Sequence, residues 1–404
     1  MDVQRIRGDF PILAKEIYGK PIIYLDSACM TLKPKQVIEA MNTYYYELAS
    51  CAGRSVHKMG TEVTIKCDSA RRSIAKFFNA RKPEEIVFTR NTTEGINIVA
   101  RCLDFKKGDV VLTTDREHNS NMAPWHLMRE FRGIGHEIVH SLEDSTFDME
   151  AFEKRMGEDV RLVSMVHTSN LEGYTIPAKE IIKIVHDHGA LVMLDGSQSA
   201  AHSRVDFQEL DVDFFSCSLH KMCGPTGMGV LYGKYDLLKE LSPFIVGGDT
   251  VAETSYESTV YLDPPKKFEG GLQNYAGIIG SGAAVEYLSK LGMENIREHE
   301  IKLNTVMTSR LAGIPNLHIL GPEEPEKRGG VVSFWVEGMD PHDIAMILDE
   351  VANIMIRSGM HCVHSWFKSH GINGSARASA YLYNTEEEAK TFADTLEDVV
   401  GRMG

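Results

Sequence analysis

Continuous apolar runs, not alternating ones, punctuate the first two thirds of the chain. "EEIVFT", "DVVLTT", "HEIVHS", "RLVSMVH", "ALVML", "VDFFSCS" and "GVLYG" are each bounded by charge, Gly or Asp. Such runs suit strands buried on both faces. Between them lie segments with helical spacing. "KQVIEAMNTYYYELA" follows Pro34 and carries Val37, Met41, Tyr44 and Leu48 on one face; "TEGINIVARCL" and "AKEIIKIVHDHGA" read the same way. The alternation runs from about Pro34 to Gly233 and predicts a mostly parallel sheet wrapped by helices.

After about residue 275 the rhythm changes. Two long helical stretches, "IIGSGAAVEYLSKLG" and "IREHEIKLNTVMTSRLAGI", come first. Then "GGVVSFWVEG", "HDIAMILDE", "ARASAYLYN" and "TEEEAKTFADTLEDVVGRM" alternate strand and helix over a short span. Thr385 and Glu388 form a capping box for the last helix. This pattern predicts a smaller α+β domain, with a boundary near residues 280–295. A chain of 404 residues is long for one core, which also favours two domains. We expect a large domain over 22–285, and a small one built from 1–21 and 286–404.

Charge narrows the class. The formal net charge is −14, which argues against a nucleic-acid backbone as partner. The seven cysteines form no C-x-x-C pair, so a disulfide scaffold is not expected and a reducing compartment is. "MDVQRIRGDF" has no apolar signal core, and no run reaches the roughly 18 apolar residues of a membrane span. A cytoplasmic protein is expected.

Candidate chemistry gathers at strand ends. "ALVMLDGSQSA" ends a strand in Asp195, where open α/β sheets bind ligands; alone, the Asp-Gly pair reads first as an Asx turn. Lys221 follows 26 residues later, in "SCSLHKMCGPTG", also at a strand end. Alone it reads as a loop lysine. An aspartate and a lysine converging on one crevice suit pyridoxal phosphate (PLP): the lysine bonds the cofactor and the aspartate holds its pyridine nitrogen protonated. Thr92 and Thr93 precede a helix whose positive end suits a phosphate, or simply cap it. Ser218 and His220 could add donors to that phosphate. His118, in "REHNSNMAPW", offers a ring for stacking or is an exposed turn residue. Cys362, in "IRSGMHCVHSWF", reads as a nucleophilic thiol in a mobile loop, as a metal ligand with His361 and His364, or as an inert buried thiol. Arg377 starts a strand, suited to a substrate carboxylate or to a structural ion pair.

These motifs stand in a familiar order. The chain resembles the class V, fold-type I PLP enzymes and, within them, the cysteine desulfurase and selenocysteine lyase group, SufS-like branch. The resemblance is carried by "YLDSACMTLKPKQV", "VFTRNTTEGIN", "REHNSNMAPW", "TSNLEG", "LDGSQSA", "SLHKMCGPTGMGVLYG", "FEGGLQN", "IRSGMHC" and "ARASAYLYNTEEE", from about residue 24 to 388. It implies a seven-stranded, mostly parallel sheet between helices in the large domain. It implies that Lys221 carries PLP and moves the substrate's Cα proton, that Asp195 pairs with the pyridine nitrogen and that Gln198 donates to the phenolic oxygen. His118 would stack on the ring; Thr93, with Thr92, and Ser218 and His220 would hold the phosphate. Asn170 and Arg377 would bind the substrate carboxylate, with Arg357 at the root of the cysteine loop. Cys362 would take the sulfur as a persulfide and leave alanine. No metal is implied. The expected substrate is L-cysteine, or L-selenocysteine. The expected partners are a second copy of the chain and a protein sulfur acceptor such as an iron–sulfur scaffold.

Three positions depart from the family's pattern. Leu272 stands where a threonine usually reaches the phosphate of the neighbouring subunit. Gly53 stands where a histidine is common, and Glu172 where an apolar residue is usual. Two other readings stay open: a selenocysteine lyase, other β-lyase or epimerase of the same fold, and a PLP-fold protein that has lost catalysis. The second predicts a missing lysine or aspartate, and both residues are present.

Overall fold

The structure, a computed structural model, describes residues 1–403. The seven apolar runs form one sheet: β1 Ile86–Thr89, β2 Val110–Thr114, β3 Gly135–Val139, β4 Val160–Val166, β5 Leu191–Asp195, β6 Phe214–Ser218 and β7 Gly229–Gly233. Their order across the sheet is β1-β7-β6-β5-β4-β2-β3. Only β7 runs against its neighbours, β1 and β6; the other pairs are parallel. Six strands therefore point the same way, and the carboxyl ends of β1, β2, β4, β5 and β6 open on one edge. Every residue of β1, β2, β6 and β7 is buried, as double-faced burial requires.

Helices cover both faces. Lys58–Phe77 and Tyr275–Leu291 lie against each other on one side. Their approach is close: a Cβ on Gly282 would stand 2.8 Å from the Ala70 methyl carbon, so glycine sets the spacing there. The stretch after Pro34 is an α-helix only over Lys35–Thr43; Tyr44–Leu48 continues as a π-turn. Thr92 opens the helix Thr92–Cys102 rather than capping it. The cap is Asn91, whose side chain accepts from the Glu94 amide.

The C-terminal third builds a four-stranded antiparallel sheet, ordered Leu317–Ile319, Val331–Val336, Ser375–Ser379 and Arg357–Gly359. It has its own apolar core, including Leu303, Phe334, Ile344, Ala378 and Phe392. Thr385 and Glu388 exchange hydrogen bonds of 3.1 Å each, closing the capping box of Glu386–Met403. The short strand Ile23–Tyr24 pairs with Ile354–Met355, and Asp26 bridges to Ser379. This tie brings the segment after Tyr24 to the mouth of the large sheet.

Candidate active site

A cavity of about 250 Å³ sits where the carboxyl ends of the parallel strands face the small sheet. Lys221, Asp195, Gln198, His118, Thr92 and Thr93 line it; so do Ser218, His220, Asn170, Arg357, Cys362 and Arg377. The twelve residues expected to hold cofactor or substrate or to act in catalysis all reach this one space; His364, Gly53, Glu172 and Leu272 do not. The sequence reading missed Cys29, Ser197 and Ser120, which line it too, as does His361, expected only as an alternative metal ligand.

One end of the cavity is built for an anion. It lies at the amino end of the helix Thr92–Cys102, where backbone dipoles concentrate positive potential. The Thr92 and Ser218 hydroxyls stand 2.7 Å apart, and the Ser197 and Thr92 hydroxyls 2.8 Å apart. Thr93 pairs with Ser120 at 2.7 Å. His220 is held neutral: burial, then Lys221 and Lys33, push its pKa down to about 4. A neutral imidazole still offers one N–H.

Asp195 ends β5, 2% exposed. Its Oδ1 accepts from the Ser197 amide at 2.9 Å and the Ser197 hydroxyl at 2.6 Å. The Asx turn anticipated as the plain alternative is therefore present, and it orients the carboxylate. Gly196 is required beside it, because a Cβ there would collide with the Phe215 ring. Lys221 closes a single 3₁₀ turn directly after β6. Burial, the largest influence, lowers its pKa; Asp195 works against that fall. His118 caps the helix Asn119–Arg132, its Nδ1 accepting from the Ser120 amide at 3.1 Å. Burial and then Lys221 push its pKa down to about 4.

The opposite end is cationic. Arg377 Nη1 donates to the Asn170 carbonyl at 2.8 Å, and its Nη2 lies 3.4 Å from Asp26 Oδ1. Arg357, paired across the strands with Arg377, donates to Cys29 Sγ at 3.4 Å. Cys362 stands in a loop anchored on several sides. The Asn119 amide donates to the Cys362 carbonyl at 2.7 Å, and Asn170 Nδ2 donates to the His361 carbonyl at 2.8 Å. His361 Nε2 meets Ser375 Oγ at 2.9 Å. His361 and Cys362 both take left-handed backbone angles, φ 47° and 59°. Two successive non-glycine residues in that region are strained, and the anchors hold them there. His364 turns to Asn119, so it and His361 do not converge with Cys362 as metal ligands.

Three of the buried polar atoms without a protein partner among the described residues are Asn170 Oδ1, Arg377 Nε and His361 Nδ1. All three belong to residues of this cavity. Buried polar atoms normally find partners, so the site is shaped for a polar ligand. A primary amine, a carboxylate and a hydroxyl-lined helix terminus are the groups that an aldehyde, a pyridine nitrogen and a phosphate require. The residues fit pyridoxal phosphate, and fold and cavity together define a PLP enzyme of fold type I.

Comparison with known proteins agrees. The sequence profile of the class-V aminotransferase family matches residues 23–392. "Probable cysteine desulfurase" of Halalkalibacterium halodurans is 40% identical over 400 residues, covering 98% of both chains. The apo structure of cysteine desulfurase from Thermococcus onnurineus NA1 superposes with a TM-score of 0.94 at 37% identity, over 99% of this chain and 98% of that one. A more distant likeness, C-DES, has 25% identity and a TM-score of 0.82 over 93% and 97% of the two chains. It is a cystine C–S lyase, solved with its product cysteine persulfide and, as a mutant, with glycine linked to its PLP cofactor. The chain belongs to the class-V aminotransferase family of PLP enzymes and, within it, to the cysteine desulfurases.

Proposed function

We infer that this desulfurase converts L-cysteine to L-alanine with Lys221 and Cys362 as its working residues. When bound, PLP supplies an electron sink that makes the Cα–H and Cβ–S bonds of an amino acid labile. Lys221 would hold the cofactor through Nζ. Its lowered pKa favours the neutral amine, which can take the substrate's Cα proton. Asp195 would hold the pyridine N–H, Gln198 the ring oxygen and His118 the ring face. Thr92, Thr93, Ser218 and His220 would hold the phosphate. Arg377 and Asn170, with Arg357 nearby, would orient the substrate carboxylate.

Cys362 Sγ would then attack the substrate sulfur as a thiolate. A sulfur–sulfur bond forms as the Cβ–S bond breaks; the electron pair stays on Cβ, which takes a proton to complete alanine. The observation that carries this reading is the convergence of Lys221, Asp195 and Cys362, from three separate segments, on one cavity. The test is alanine and sulfide released from L-cysteine by PLP-loaded protein with a dithiol present. Equal amounts of both support it. No alanine from a yellow, PLP-bearing protein overturns it.

The likeness to a C–S lyase favours one second reading, cleavage of selenocysteine or other β-substituted amino acids. Cys362→Ala separates the two: it should abolish cysteine cleavage, while a lyase would keep its activity.

The protein would act as a homodimer. Tyr46, Val56, Ile65, Tyr256, Val260 and Leu272 are exposed apolar side chains that a second copy would cover. The sulfur would pass to a protein thiol, such as that of an iron–sulfur scaffold. No described helix is long and apolar enough to cross a membrane. A cytoplasmic site of action is part of this proposal.

A further inference from the structure

Behind the cavity wall a hydrogen-bonded chain runs from Gln198 into the interior. Gln198 Oε1 lies 3.2 Å from His202 Nε2, and His202 Nδ1 lies 2.8 Å from Glu300 Oε1. Gln198, His202 and Glu300 are all buried. Glu300 comes from the helix Met293–Leu311, about a hundred residues away in sequence from the cavity wall. Its second oxygen, Oε2, has no partner among the described residues.

The protons in this chain can be counted. The Ala28 carbonyl accepts from Gln198 Nε2 at 2.8 Å. A carbonyl can only accept, so the amide cannot be turned about: its nitrogen faces Ala28 and its oxygen faces His202. That oxygen needs a donor, so His202 Nε2 carries a proton. His202 Nδ1 and Glu300 then share one further proton between them. Both placements of it, acid with neutral ring or carboxylate with imidazolium, leave the Nε2–H in place. One N–H of Gln198 remains without a protein acceptor, and Gln198 lines the cavity.

We propose that His202 and Glu300 are positioning residues: they lock the Gln198 amide as a hydrogen-bond donor toward the cavity, and so hold the cofactor's ring oxygen in its deprotonated form. This rests on the reading of the cavity as a PLP site. Neither residue touches the cavity; both act through Gln198. The groups facing Glu300 are His202, Arg297 from its own helix, and Tyr381, whose ring packs edge-on against His202 at 5.1 Å. Tyr381 donates its own hydroxyl to the Ala201 carbonyl at 2.8 Å, so it does not compete for His202.

The test is a spectrophotometric pH titration of the bound cofactor, compared between the unmodified holoprotein, His202→Phe and Glu300→Gln. Phenylalanine keeps the ring but donates nothing. The titration midpoint of the visible band should then move to higher pH by about half a unit to one unit, the worth of one ordinary hydrogen bond. Glu300→Gln still donates to Nδ1 and should titrate like the parent. An unmoved midpoint in His202→Phe overturns the proposal. A second measurement covers a variant that fails to fold: nitrogen-15 NMR of the parent protein should find His202 protonated at Nε2 from neutral to mildly alkaline pH. A ring carrying its proton only on Nδ1 overturns the proposal. This readout needs no cofactor, so it stands even if PLP uptake, and with it the functional reading, fails.

Discussion

The backbone N–H of Asn119 donates to the carbonyl of Cys362 at 2.7 Å. Asn119 directly follows His118 on the large sheet's edge, and Cys362 comes from the small sheet. The Asn119 side chain adds a second tie, Nδ2 to His364 Nδ1 at 2.8 Å. A thiol on an untethered loop would spend most of its time away from the cavity. Here the backbone of the proposed nucleophile is fixed to the residue beside the ring that would cover the cofactor. Positioning of this kind is a large part of catalysis.

Lys221→Ala should remove the cofactor's covalent anchor and its proton carrier together. The purified variant should lose the visible absorbance of lysine-bound PLP, and its alanine production should fall by about three orders of magnitude or more. Absorbance spectra and an alanine assay check both.

Glu172 forms a buried ion pair with Arg116, and Arg116 also lies over the Trp366 ring at 5.5 Å. The pair ties together the loops that carry His118, Asn170 and Cys362. Glu172→Leu restores an apolar residue but leaves a buried guanidinium with only Asp115, whose Oδ1 lies 3.6 Å from Arg116 Nε. It should destabilise the protein by about 3 kcal/mol or more, whereas the double change Glu172→Leu with Arg116→Met should recover most of that. Denaturant melts of the three proteins measure it.

Acid should weaken the cofactor-free protein early. Burial pushes His118, His136, His167 and His220 down to about 4, below the ordinary histidine value of 6.5. The unfolded chain then binds protons that the folded chain refuses. The cost is absent above pH 6.5 and builds as pH falls toward 4. Glu117 opposes this, since burial raises it to about 7 and the folded form gains a proton there. With His299 and His361 also pushed down by burial, and Asp26 and Glu300 also raised by it, six histidines against three carboxyls predict a melting temperature that drops from pH 6.5 to 4.5. A scanning calorimetry series checks the slope.

Leu272 is 70% exposed and offers no donor. If the partner subunit's phosphate site lies opposite, Leu272→Thr should supply a hydroxyl and lower the PLP dissociation constant by roughly threefold to tenfold. Equilibrium dialysis of the protein and the variant reads it.

Much of the fold was legible because the apolar runs report double-faced burial directly. Each of the seven became a strand, with bounds close to the runs. The order of strands was not legible, nor was the reversal at β7, because pairing is decided between segments far apart in sequence. In the site, strand-end polar residues such as Asp195 and Lys221 stood out against their apolar flanks. Cys29 and Asp26 did not. Cys29 reaches the cavity, and Asp26 reaches Arg377, through a two-residue strand, Ile23–Tyr24, too short to leave a pattern. Ser197 sat in plain view beside Asp195, and an Asx-turn reading could have found it. Glu300 lies in a helix whose spacing says only that it is buried; its partner His202 emerges only in three dimensions.

The most direct test of the account is a single turnover of PLP-loaded protein with L-cysteine and no reductant, followed by alkylation and peptide mass spectrometry. The account predicts one extra sulfur on the peptide bearing Cys362, together with one alanine per site, and neither product in Cys362→Ala. Alanine formed with the extra sulfur on another cysteine, or undiminished in Cys362→Ala, would contradict it.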